Sequence, residues 1–250
     1  WYWFAISIVL AVAIAFLYTK TVEPSYSTSA EIQIKSDSKG NSMSGEEAFA
    51  NMGFFKSNTN VWNEIIAFSS PDLIVEVVDR LKLHTDYRKP GFFYNKLLYG
   101  TSLPVTVSMP ELADNAVASF TLKLLGKEKY VITDMKFNGE EFKDKKIEGR
   151  LHDTISSPYG NLIVTPTIHY NIQLVSETNE ILVNRSSKNY AVEKYSNRLG
   201  VEQNNKEADV ITLSVSDVSP QRAEDFLNTL IVVYNEHWIK DKNQIANSTS

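Results

Sequence analysis

The chain has 250 residues, 43% of them hydrophobic and 22% charged, which is the composition of a folded protein rather than a disordered tail. A net charge of −5 argues against a broad phosphate-binding face, and the absence of cysteine excludes disulfides, zinc–thiolate sites and thiol nucleophiles.

The first element is the apolar run WYWFAISIVLAVAIAFLYT, which carries no charge from Trp1 to Thr19. Its length approaches the roughly 20 residues a helix needs to cross a bilayer. Trp1, Tyr2 and Trp3 lie at one end and Tyr18 near the other, where the two membrane–water interfaces favour amphipathic rings. These four are the candidate membrane-interface residues, with membrane lipid as their partner. A signal peptide would begin with a basic segment and close on a small-residue cleavage site, and a buried core helix would not place aromatics at both ends. The run has no initiator Met, so a preceding cytoplasmic piece is expected. The segment after Lys20, up to Lys56, is mildly acidic, as expected on the non-cytoplasmic side.

Beyond the span, SAEIQIK (Ser29 to Lys35) alternates as a strand and leads into a Ser/Gly/Asn-rich break through Gly45. Two helices follow, one around Val61 to Phe68 and one opened by Ser70 as N-cap with Pro71 at the first helical position. Leu73, Val77, Val78 and Leu81 give the second an apolar face.

From Leu103 to about Val175 the period is two. PVTVSM, ASFTLKLL, KYVITDMKF, YGNLIVTPT and YNIQLV read as short strands, with Asn138-Gly139 as a hairpin turn and SPYG (157–160) as a break. Helical spacing returns in SSKNYAVEKYSNRLGV, where Tyr190, Val192, Tyr195 and Leu199 outline a face and Gly200 is the expected stop. DVITLSV (Asp209 to Val215) is a strand. Ser219-Pro220 then opens a helix whose Ala223, Phe226, Leu227, Leu230, Val233 and Tyr234 recur at spacings of three and four, continuing toward Ser250.

The expected fold is α+β: a transmembrane helix (1–20), a split α/β domain (21–102 and 176–250) ending in a long C-terminal helix, and a β-rich insertion (103–175). The strands at Ala30 to Lys35 and Asp209 to Val215 are expected to share one sheet beneath the Pro71 and Pro220 helices.

No phosphate loop, dinucleotide fingerprint, zinc-protease motif or nucleophile elbow occurs. His84, His152, His169 and His237 are scattered, and Glu140-Glu141 lies in a charged turn beside Gly139. No catalytic residue, metal ligand or cofactor site is therefore assigned, and nucleic acid is not an expected partner.

Two blocks carry a resemblance. YSTSAEIQIK (Tyr26 to Lys35) leaves the membrane run, and Asp209 to Ser250 carries a strand, Asp217, Ser219-Pro220, Ala223, Leu227-Asn228, Leu230, Tyr234 and Lys242-Asn243. Together they resemble the Wzz-type chain-length determinants, or polysaccharide co-polymerases, and most of all the membrane-anchored tyrosine autokinases of capsule and exopolysaccharide systems. SSPYGNLIVTP (Ser156 to Pro166) is similar to a segment of the larger members. The resemblance implies a periplasmic α/β domain held in the bacterial inner membrane. It also implies ring-like homo-oligomers and control of polysaccharide chain length or export with a polymerase and an outer-membrane exporter. The sequence contains no second span, no Pro-rich motif, no kinase domain and no Tyr cluster, so kinase activity would belong to a further C-terminal part. A ligand-sensing periplasmic ectodomain of a transmembrane receptor is the other reading; a second span and P-loop beyond Ser250 would favour the first, a linker helix and signalling domain the second.

Overall fold

The computed structural model describes residues 1–34, 56–142, 145–158, 160–203 and 210–248. The Ser/Gly/Asn-rich break expected up to Gly45 lies outside them. The chain is a mixed α/β structure of two units, one made of residues 1–25 and 84–187 and the other of residues 26–83 and 188–250.

In the second unit, β1 (Tyr26–Gln33) pairs antiparallel with β13 (Val210–Asp217) along its whole length, from Tyr26 opposite Asp217 to Gln33 opposite Val210. This is the pairing that the two alternating runs predict. β13 also pairs with β12 (Leu199–Glu202), giving a three-stranded sheet in the order β1-β13-β12. Ile211, Leu213 and Val215 point inward by the period of two. They meet α3 (Pro71–Arg80), α5 (Lys188–Ser196) and α6 (Pro220–Ser248) in one apolar cluster. α2 (Lys56–Phe68) adds Val61 and Phe68, and Phe68 stacks on Tyr234 with ring centroids 4.1 Å apart.

The apolar faces read from spacing hold in two helices. Leu73, Val77 and Val78 are buried in α3 along with Ile74, and Ala223, Phe226, Leu227, Leu230 and Val233 are buried in α6. Pro71 and Pro220 each begin their helix, but the two caps differ. The Ser219 hydroxyl accepts the Arg222 N–H at 3.3 Å, whereas Ser70 makes no side-chain cap. In α5 the expected face is corrected: Ala191 and Tyr195 are buried while Tyr190 is exposed. Gly200 does not stop that helix. It lies in β12, where a Cβ would come within 2.5 Å of the Ser214 hydroxyl, so close strand approach is its physical role.

The other unit begins with α1 (Tyr2–Thr21) and continues through β2 (Thr85–Lys89), β3 (Lys96–Leu98), β4 (Val105–Ser108), β5 (Ala118–Leu125) and β6 (Lys129–Phe137). It goes on through β7 (Glu140–Phe142), β8 (Ile147–Arg150), β9 (Thr154–Ser157), β10 (Gly160–Pro166), α4 (Ile172–Glu177) and β11 (Glu180–Arg185). One sheet runs β3-β2-β11-β5-β6-β7, with β8 also paired to β6, and a second runs β4-β10-β9. Side chains from both, including Phe120, Leu122, Ile132, Val164 and Ile181, share a single core. The unit extends past the alternating stretch of 103–175 to residues 84 and 187 because β11 sits between β2 and β5 in the larger sheet.

Asn138 and Gly139 turn β6 into β7 with φ of 46° and 90°, both left-handed, as a two-residue hairpin of the Asn-Gly kind requires. YNIQLV is corrected from strand to helix: the Asn171 side chain accepts the Leu174 N–H at 2.8 Å, and this cap starts α4.

Tyr87 ties the two sheets together. Its buried hydroxyl accepts the Val107 N–H at 2.8 Å, and burial pushes its pKa up to about 12 against a backbone bond that lowers it. The folded state therefore retains a proton that the unfolded chain releases near pH 10. This contribution is complete below about pH 10 and is lost as pH rises toward about 12, amounting to roughly 3 kcal/mol. Urea unfolding followed by circular dichroism should show stability falling across that window, while tyrosinate absorbance shows a late-titrating set to which Tyr87, Tyr130, Tyr170 and Tyr234 belong, all raised by burial. Tyr87→Phe should remove one member of that set and make the decline shallower. An unchanged alkaline profile would show that Tyr87 is not its source.

Candidate functional site

α1 is the one helix among the described residues that is long and apolar enough to cross a membrane. It buries none of its side chains against the protein. At about 1.5 Å per residue its 20 residues extend about 30 Å, matching a hydrocarbon core. Trp1, Tyr2 and Trp3 are exposed at its start and Tyr18 is exposed near its end, about 24 Å further along from Tyr2. Lys20 stands in the last turn with its ammonium 5.6 Å from the Phe16 ring centroid, a position from which a long cation reaches headgroups.

The helix is followed by a tether that spacing alone does not reveal. Glu23 lies two residues past α1 and pairs with Arg88 of β2 at 2.9 Å, both side chains being about three-quarters buried. The same Arg88 nitrogen donates to the Asn95 carbonyl at 2.9 Å, so one guanidinium joins the helix exit to both sides of the β2–β3 hairpin.

A second polar centre lies inside the other unit. Asp217 is the fourth inward residue of β13 after Ile211, Leu213 and Val215, and it is only 1% exposed. A carboxylate in that row requires partners. Arg222, itself 3% exposed, supplies Nε at 3.0 and 3.1 Å and a terminal nitrogen at 2.9 Å. Tyr195 donates its hydroxyl at 3.0 Å, the Ser219 N–H donates at 3.0 Å, and Arg198 lies at 3.4 Å. With both oxygens engaged and no open face, this carboxylate locks the turn from β13 into α6 and is not placed to act on a substrate.

Other titratable groups cluster at the periphery of the same unit or in turns. His237 contacts Glu76 at 2.8 Å, and this bond, together with Arg80, holds the Glu76 carboxyl below the usual range. Arg80 also pairs with Glu236 across α3 and α6. Glu140 and Glu141 lie in the short hairpin strand β7, where Glu141 pairs with Lys136. Among the described residues, no group of three or more His, Asp or Glu is placed to hold a metal ion. A cleft of about 300 Å³ lies between the start of the β5–β6 turn and α4, beside Tyr170, whose hydroxyl is committed to the Lys127 carbonyl at 2.7 Å.

The features that can do something are thus a membrane-length helix, a tethered hairpin behind it, and a rigid α/β unit locked at the root of its last helix. Neither the protein-family models nor the curated proteins compared with this chain give a match.

Proposed function

We propose that this chain is the membrane-anchored scaffold of a polysaccharide co-polymerase. It would sit in a bacterial inner membrane with both units in the periplasm and control the length or export of a capsular or exopolysaccharide as a homo-oligomer. The observation that carries the reading is the strand pairing: the chain leaves α1, and after four residues β1 pairs along its full length with the strand that feeds α6. The segment leaving the membrane and the segment entering the last helix are therefore set by one sheet. An anchored scaffold needs such a connection, and the resemblance in Tyr26 to Lys35 and Asp209 to Ser250 falls on these same two segments. A polymerase and an outer-membrane exporter are the partners this reading implies, and a tyrosine kinase activity would have to come from residues other than these 250.

Assembly is supported by the outer helix faces of the second unit. Trp62 and Ile66 are exposed four residues apart on α2, and Val232 and Ile239 are exposed seven apart on α6, opposite the buried face. Apolar stripes left outside a complete core mark protein contacts. Val232→Glu with Ile239→Glu is expected to lower the mass of the detergent-solubilised full-length protein to that of smaller species. It should also shift polymer length in cells while leaving circular dichroism unchanged. A wild-type protein that is monomeric by mass while polymer length is normal would overturn the scaffold and favour the ligand-sensing reading, for which the cleft beside Tyr170 offers a pocket.

A further inference from the structure

The β2–β3 hairpin ends in the sequence RKPGFFYNK (residues 88–96), and its tip is apolar and outside the core. Phe92 is 94% exposed, Phe93 and Tyr94 are also exposed, and the two Phe rings touch edge to face with centroids 4.9 Å apart. The tip is a built turn. The Asn95 side chain accepts the Gly91 N–H at 3.4 Å, and a Cβ at Gly91 would come within 2.2 Å of the Tyr94 carbonyl, so only glycine fits. Pro90 precedes it, and Lys89 and Lys96 flank the aromatics. Aromatic rings at a tip with cations behind them suit a bilayer interface, where rings enter the headgroup boundary and cations meet lipid phosphates.

We infer that the Phe92–Tyr94 tip dips into the same membrane leaflet from which α1 emerges, as a second, non-spanning contact with lipid. The Glu23–Arg88 ion pair makes the bilayer the occupant of this surface. Glu23 follows the end of α1 by two residues, at most about 7 Å of chain. It therefore stands within the headgroup layer, which is about 5–7 Å thick on each side. Arg88 is held there with it, and Phe92 lies four residues further on, within about 14 Å. The tip is thus confined to the neighbourhood of the interface, and its exposed rings are matched to it. A protein partner would have to reach these rings in the same layer.

This inference rests on α1 being a membrane span, and the test separates the two claims. The chain has no cysteine, so a single introduced one is a unique label site. The 250-residue chain is placed in phosphatidylethanolamine–phosphatidylglycerol nanodiscs, with an environment-sensitive fluorophore at Tyr94→Cys, Val12→Cys or Glu177→Cys and a nitroxide quencher carried on the lipid. Quenching at position 94 is expected to be several-fold stronger than at position 177. It should fall to the level of position 177 when Phe92→Ser and Phe93→Ser are added. If position 12 is quenched and position 94 is not, the tip does not contact lipid and the inference is overturned, while the span stands. If position 12 is not quenched, the span itself fails and the inference falls with it.

Discussion

Asp217→Ala is expected to cost the second unit about 3–5 kcal/mol, because it takes from a buried guanidinium the buried carboxylate it faces. Arg222 is 3% exposed and contacts this carboxylate at 2.9 to 3.1 Å, and the Tyr195 hydroxyl loses the oxygen it donates to at 3.0 Å. Against a typical stability of about 5–15 kcal/mol, that loss brings the unit close to unfolding. The sign of the comparison with a double replacement is informative. Asp217→Leu with Arg222→Met removes both charges and is expected to cost far less than the single change, since the desolvation penalty disappears with the attraction. Urea unfolding read from Trp62 and Trp238, both in this unit, would measure the difference. A single substitution costing less than about 1 kcal/mol would show that water or a rearranged side chain replaces the carboxylate.

The same residue shows what alternation can and cannot tell. In VITLSVSD the inward positions Ile211, Leu213 and Val215 continue by the period of two to Asp217, two residues past the expected end of the strand, so the alternation gave the apolar row but not the buried carboxylate that closes it. It gave no sign of the partners either, because Arg222 reaches back from the next helix and Tyr195 comes from another. The face of α6 was legible for a simpler reason: its five buried apolar residues all meet one sheet. β2 and β11 were harder. TDYRK has one buried residue, Tyr87, and four partly exposed ones, and its partner EILVNR lies more than 90 positions away, so neither run has a local signal comparable to a hairpin. YNIQLV failed because the apolar pattern of six residues fits either period, and the Asn171 cap decided it. The expectation that Trp1, Tyr2, Trp3 and Tyr18 meet membrane interfaces follows from composition at the ends of one run. The hairpin tip does not, since Phe92, Phe93 and Tyr94 carry no periodic signal and it is the fold that leaves them outside the core.

The proposed span admits a large and simple perturbation. Leu10 and Ile14 are four residues apart near the middle of α1, on one face of a helix that has no charge between Tyr2 and Thr19. An arginine at the centre of a span costs about 2.5–3.5 kcal/mol, and the leucine or isoleucine it replaces contributed a few tenths in the other direction. Leu10→Arg with Ile14→Arg should therefore disfavour insertion by about 6 kcal/mol, a factor of order ten thousand, and move the 250-residue chain out of the carbonate-resistant membrane fraction. Tyr18→Arg is the matched control. Near the helix end a guanidinium can reach the headgroups along its own stem, so that variant should stay in the membrane. The hairpin tip offers no rescue, because three aromatics and their flanking cations support only reversible adsorption, which carbonate at high pH strips away. Retention of the double arginine variant at the wild-type level would mean that residues 2–21 do not cross the bilayer. A chain lost from the carbonate-resistant fraction but recovered on lipid vesicles at low salt would fit a lost span with the peripheral contact at Phe92–Tyr94 still in place.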